Sequence, residues 1–202
     1  MITLYGTANT RTRRNLWLLE ELAIPFELVT VKPRDESSRR PEYLAINPMG
    51  KVPTLVDDGL VITESMAINF YLARKYGRQW WPDSEAGEAT LFQWTFFAAT
   101  ELDPLFFIVI LERMIKPAGE GNEAAAEQAQ RMLERPMTVM DAKLKRTDYL
   151  LGASFTLADL NVAGVCMMGR RFEYDFSAFP NVHEWLNRCW NRPAFKRADA
   201  AG

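Results

Sequence analysis

Residues 47–55 read NPMGKVPTL, and the segment that follows closes on TES at 63–65. Pro53 stands at the mouth of an apolar strand, where a residue without a backbone N–H cannot serve a sheet ladder from the middle. Such prolines belong at edges, strand starts and bulges. PTLV (53–56) therefore reads as a strand that begins at its proline. LVIT (60–63) is its hairpin partner, because the intervening DDG supplies the turn conformations a tight connection needs. ESMAINFYLARKYG (64–77) is an amphipathic helix stopped by Gly77. Toward the N-terminus, ITLY (2–5) is a short strand and RTRRNLWLLEELA (11–23) a helix ended by Ile24-Pro25. FELVTV (26–31) is an alternating strand, and PEYLAI (41–46) makes one or two helical turns after a polar loop. The order β-α-β-(α)-β-β-α requires a mixed sheet, its first two strands parallel and its hairpin antiparallel.

The rhythm changes after residue 77. RQWWPDS (78–84) reads as a linker, and everything beyond it is helical. The spacing predicts a long helix over 85–116, with Leu91, Trp94, Ala98, Leu102, Leu105 and Val109 on one stripe and a kink at Pro104. KPAGEGNE (116–123) breaks it. A helix over 123–146 follows, again with an internal proline, Pro136. LADLNVAGVCMM (157–168) is apolar nearly all round, the pattern of a helix buried by its neighbours. SFTLADL (154–160) supplies its start: Thr156 and Asp159 form a capping box, and Phe155 and Leu160 a hydrophobic staple. PNVHEWLNRCWN (180–191) and a short tail helix complete the chain. The domains so predicted are 1–77, a linker at 78–84, and 85–202.

Composition limits the function. The 202 residues are 48% hydrophobic and 25% charged, with a net charge of −2. This is the mix of a folded globule and lacks the basic excess of a dedicated nucleic-acid binder. Arg11, Arg13 and Arg14 are a local feature. MITLYGTANT does not have the charged start and long apolar region of a signal peptide, and no uninterrupted apolar run reaches the ~18 residues of a membrane span. The only cysteines, Cys166 and Cys189, form no CxxC and read as reduced thiols. No metal-ligand pattern is present. His183, the single histidine, reads as structural or surface. The expected setting is cytoplasmic, without a membrane or nucleic-acid partner.

GTANTRTRR (6–14) gathers Thr7, Asn9, Thr10 and Thr12 between the first strand and the first helix. Asn9 or Thr10 can serve as the helix cap. Alternatively, a hydroxyl there can donate to an anion held in the positive end of the helix field.

NPMGKVPTL with TES, and LLGASFTLADL about 100 residues later, together resemble the cytosolic glutathione transferases, theta-like and other bacterial members above all. The resemblance spans nearly the whole chain. It implies an α/β thioredoxin-like N-terminal domain plus an all-α C-terminal domain, usually in a homodimer, with glutathione as co-substrate and no metal. It implies a cis peptide bond before Pro53, which presents the Val52 backbone as a free strand edge; only an X–Pro bond makes the cis form cheap, at ~0.5–1 kcal/mol. The cysteinyl unit of glutathione would pair there by β-augmentation. Glu64 and Ser65 would hold the γ-glutamyl end, and Lys51 would approach the glycyl carboxylate. Family members activate the thiol with Tyr, Ser or Cys just after the first strand; the matching position is Thr10, with Asn9 the second choice of donor and Thr12 the third. Thr is a departure that puts turnover in question. Tyr5 is expected to face the core. A pocket for a small hydrophobic electrophile would draw on Trp94, Phe97, Phe106, Phe107 and Met114. The implied activity is glutathione transfer of a detoxifying kind. The alternatives are a ligand-binding or partner-docking protein of the same fold, and a glutathione-dependent disulfide or peroxide reductase.

Overall fold

A computed structural model describes residues 1–201. It contains two compact units: Met1–Trp81 together with the tail from Asn191, and Pro82–Trp190. The tail helix thus belongs with the first unit, although its helical rhythm matches the second. Periodicity identifies a helix but not the body it packs against.

The first unit holds a four-stranded sheet in the order β2-β1-β3-β4, from Ile2–Gly6 (β1), Phe26–Thr30 (β2), Thr54–Asp57 (β3) and Leu60–Thr63 (β4). β1 and β2 run parallel, and β3 is antiparallel to both β1 and β4, as the order of elements requires. Its helices are α1 (Thr12–Leu22), α2 (Pro41–Ile46) and α3 (Ser65–Tyr76), joined by the tail helix. Leu4, Leu16, Leu18, Leu19, Leu55, Ile68 and Leu72 are fully buried and form the core. At about 1.5–3 kcal/mol per buried side chain, they carry most of what holds α1 and α3 to the sheet. Tyr5 departs from expectation. Side chains alternate along β1, so it shares a face with Thr3 rather than with buried Leu4, and its half-buried ring packs 5.8 Å from Tyr43.

The second unit begins with α4 (Glu85–Phe97), capped by Ser84, whose Oγ accepts from the Gly87 N–H at 3.1 Å. A widened π-helical turn, Ala98–Leu102, leads into α5 (Asp103–Ile110), and a second such turn ends at Ile115. Where the sequence predicts a kink at Pro104, the helix has this widened turn and restarts with Pro104 in its first turn, where a missing N–H costs no bond. After Leu102 the inward position is Phe106, four residues on, rather than the expected Leu105, and it is fully buried against Phe172, Tyr174 and Phe176. The 31 residues Glu85–Ile115 are long and apolar enough to cross a membrane by length and composition, a test that a core helix also meets; 44% of the most apolar stretch is buried inside the protein.

α6 (Glu123–Met132) and α7 (Glu134–Leu144) are separated at Leu133, three residues ahead of Pro136. α8 (Leu157–Cys166) is buried along its whole length, and α9 (Pro180–Trp190) packs on it. The capping box is present: Asp159 Oδ2 accepts from the Thr156 N–H and hydroxyl, both at 2.9 Å. Its Oδ1 accepts from the Leu150 N–H at 2.8 Å and from Trp185 Nε1 at 2.9 Å. Cys166 and Cys189 are buried and not joined in a disulfide, and His183 is exposed. The last helix, α10 (Pro193–Ala200), lies on α1 in the first unit.

Candidate functional site

Strand register brings the sequence-predicted residues of the first unit together. Thr54, the first residue of β3, pairs with Tyr5 near the end of β1 and with Thr63 at the end of β4. The loop after β1, the Val52–Pro53 approach to β3 and the Glu64–Ser65 start of α3 therefore emerge at one end of the sheet.

The approach to β3 is held from below. Asn47 Nδ2 donates to the Lys51 carbonyl at 2.8 Å and to Thr54 Oγ1 at 3.0 Å. The Tyr43 hydroxyl donates to the same carbonyl at 2.5 Å. Val52–Pro53 is cis. Pro53 is buried, Val52 half-buried and Lys51 exposed.

At the start of α3, Glu64 adopts φ 67° and ψ 114°, a region L residues rarely occupy. Its carboxylate is exposed, while Ser65 is buried. Arg14 Nη1 donates to Ser65 Oγ at 3.3 Å, and Asn15 Nδ2 donates to the Ser65 carbonyl at 2.7 Å and to Asn69 Oδ1 at 2.8 Å. Arg14, Asn15 and Asn69 are themselves buried, so the N-terminal ends of α1 and α3 are tied side by side. Both ends aim backbone N–H groups and positive dipole ends outward, a setting that suits carboxylate and thiolate groups.

The loop after β1 turns sharply. Gly6 has φ +146°, and a Cβ there would lie 2.0 Å from Thr12 Oγ1, so only glycine fits. Thr12 is fully buried by that contact. The Thr10 hydroxyl lies 2.7 Å from the Thr7 carbonyl and 2.8 Å from Thr12 Oγ1, and it accepts from the Thr12 N–H at 3.2 Å. The Thr10 oxygen thus takes the first N–H of α1, although the cap position itself is Arg11, and its single proton is shared between two acceptors. Asn9 is exposed; its Oδ1 accepts from the Thr7 hydroxyl at 2.7 Å, and its Nδ2 has no partner among the described residues.

In the helical unit, Phe106 is fully buried, and Trp94, buried too, packs edge-on to half-buried Phe97 at 5.3 Å. Phe107 is half-buried and Met114 exposed. A cleft of about 560 Å³ in this unit is lined only by residues between 170 and 190, among them Arg170, Tyr174, His183 and Trp190, and by none of these five side chains. Sequence reasoning missed Tyr43, Asn47, Arg14, Asn15 and Asn69. Asparagines at 15 and 69, inside otherwise apolar helical stripes, were the available signal.

The profile for the glutathione S-transferase N-terminal domain matches residues 1–74, and that for the C-terminal domain matches 97–193. The chain belongs to the glutathione S-transferase family. Its fold is the thioredoxin-like N-terminal domain plus all-helical domain of that family. Among curated relatives, glutathione S-transferase 4 of Zea mays is 31% identical over 199 residues, covering 96% of this chain and 89% of the relative. Glutathione S-transferase GstB of Escherichia coli K12 is 29% identical over 201 residues, covering 98% and 97%. Among solved structures, the theta class enzyme of Xanthomonas axonopodis pv. citri with glutathione bound aligns at TM-score 0.89 and 28% identity, over 100% of this chain and 98% of the other. A glutathione S-transferase-I bound with lactoylglutathione aligns at 0.88 and 26%, over 100% and 99%. This protein is accordingly a glutathione S-transferase enzyme.

Proposed function

We propose that this transferase binds glutathione at the end of the sheet where β1, β3 and β4 converge, ionises its thiol, and directs the thiolate at small hydrophobic electrophiles. The observation that carries this reading is the register of Thr54 between Tyr5 and Thr63, with a cis Val52–Pro53 on one side and Glu64–Ser65 on the other. The cysteinyl backbone pairs with Val52. The γ-glutamyl ammonium meets the Glu64 carboxylate, and its carboxylate meets the Ser65 hydroxyl and N–H. Lys51, exposed beside the site, reaches the glycyl carboxylate.

Thiolate formation needs no general base. A thiol of pKa ~8.5 brought down by ~2 units gains about 2.7 kcal/mol of differential stabilisation. A charge-assisted hydrogen bond and a helix N-terminus supply about that much. Thr10 and Asn9 are the donors. Thr10 turns its proton from the Thr7 carbonyl to the sulfur; the uncommitted Nδ2 of Asn9 supports a share for the amide. The electrophile rests on apolar side chains of the helical unit, Trp94, Phe97, Phe107 and Met114, with Phe106 behind them. In this reading the working form is a cytoplasmic homodimer, as the family resemblance implies.

The deciding experiment is an ultraviolet titration of the bound glutathione thiolate in wild type, Thr10→Ala and Asn9→Ala. Wild type is expected to depress the thiol pKa, and loss of the donor to raise it again by about 1–2 units. Glutathione binding with an unshifted thiol in wild type would instead make this a glutathione-binding protein without thiol activation, with Thr10 serving only the start of α1.

A further inference from the structure

We propose that Asp199, on the C-terminal helix α10, is a positioning residue for the loop that carries Asn9 and Thr10, and that it acts through Arg13. The proposal rests on the reading of that loop given under Proposed function. Arg13 Nε donates to the carbonyl of Ala8, the residue just before Asn9, at 2.5 Å. Nη1 of the same guanidinium donates to Asp199 Oδ1, also at 2.5 Å. Arg13 and Asp199 are 23% and 29% exposed, so water competes only in part for this pair. Ala8 is itself buried, which leaves the carbonyl dependent on the protein for its partner.

The geometry of the donor explains why a second anchor matters. An arginine side chain has large rotamer freedom, and one hydrogen bond to a carbonyl restricts little of it. A carboxylate on another nitrogen of the planar fork fixes the guanidinium in two directions at once, and with it the carbonyl it holds. Asp199 in turn is fixed because α10 is anchored elsewhere. Arg192 donates to both carboxylate oxygens of Glu21, at 2.5 and 2.9 Å. Arg197 Nε donates to Glu20 at 2.6 Å, and Phe195 packs edge-on to Trp17 at 4.9 Å. Those contacts join helix to helix. The Asp199–Arg13 pair differs in that the same guanidinium goes on to hold the Ala8 carbonyl of the loop. Removing its charge should therefore release the loop without undocking the helix.

The test uses the full chain as wild type, Asp199→Asn, Asp199→Glu and, as a control on the same two helices, Glu20→Gln. Two quantities are measured: backbone amide exchange of residues 6–12 in the free protein, and the pH titration of bound glutathione thiolate. Asp199→Asn is expected to speed exchange of the loop amides about tenfold while the interior amides of α1 and α10 stay protected. It should also raise the bound thiol pKa and lower kcat/KM for glutathione about tenfold through misplacement of the donors. Asp199→Glu should recover most of both effects, and Glu20→Gln should match wild type. Loop exchange in Asp199→Asn equal to wild type, or an equal acceleration in Glu20→Gln, overturns the proposal. If wild type itself leaves the thiol unshifted, the donor reading falls, and loop exchange alone decides whether Asp199 positions the loop.

Discussion

Glu64 holds φ 67° and ψ 114° at the start of α3, where glycine would be at ease and glutamate is not. Such a conformation costs of order 1–3 kcal/mol and persists because the surroundings over-determine it. Here the surroundings are visible: Ser65, the next residue, is buried and tied to Arg14 and Asn15. Glu64→Gly removes the strain but adds the backbone entropy of glycine, about 0.5–1 kcal/mol. The variant is expected to keep wild-type stability or gain up to about 1 kcal/mol, while glutathione affinity falls at least about tenfold with loss of a charge-assisted bond. Urea unfolding beside calorimetric binding reads both quantities. A destabilised variant that still binds glutathione normally would assign Glu64 to the fold alone.

At the scale of elements, the capping box of α8 states its own energetics. Asp159 accepts four hydrogen bonds with two oxygens in a buried setting. Burial pushes its carboxyl up, against the Leu150, Trp185 and Thr156 donors that favour the charged form. Asp159→Asn keeps the shape but turns an NH2 group toward two of those donors, so it is expected to cost about 3–5 kcal/mol. Chemical denaturation followed by far-ultraviolet circular dichroism checks this. A loss under about 1 kcal/mol would mean the box is dispensable. That motif was legible because its signal is local: one Thr, one Asp three residues on, and apolar residues on either side. The hairpin at DDG and the parallel β1–β2 pair were legible for the same reason. Two features were not. Phe106 rather than Leu105 faces inward, and a 3.6-residue period, which allows steps of three or four from Leu102, does not choose between them. The ties from Arg14 and Asn15 to Ser65 join positions about 50 residues apart, and a polar residue inside an apolar stripe signals a buried partner without saying which one.

At the scale of the whole molecule, a net charge of −2 gives little long-range field, so the pH dependence of stability rests on particular buried groups. Asp57, at the end of β3, is the foremost of these. Its side chain is 1% exposed and accepts from Tyr71 at 2.7 Å, Tyr76 at 2.6 Å and Lys75 at 2.8 Å, all three on α3. Burial alone pushes its carboxyl up, but the bonds from Lys75, Tyr76 and Tyr71 outweigh it and hold the group at about 2, below an ordinary value of 3.8. A carboxyl with a depressed folded-state pKa stabilises above its unfolded pKa and loses that contribution as pH falls through the folded value. The window is therefore about pH 4 down to 2, and the contribution at neutral pH is about 2–3 kcal/mol. Asp57→Asn is expected to be less stable than wild type by roughly that amount at pH 7, with the gap closing as pH drops below 4. Urea midpoints for both proteins at pH 7, 5, 4 and 3 measure it. A gap that stayed constant down to pH 3 would show that Asp57 joins β3 to α3 by shape and neutral hydrogen bonding rather than by its charge.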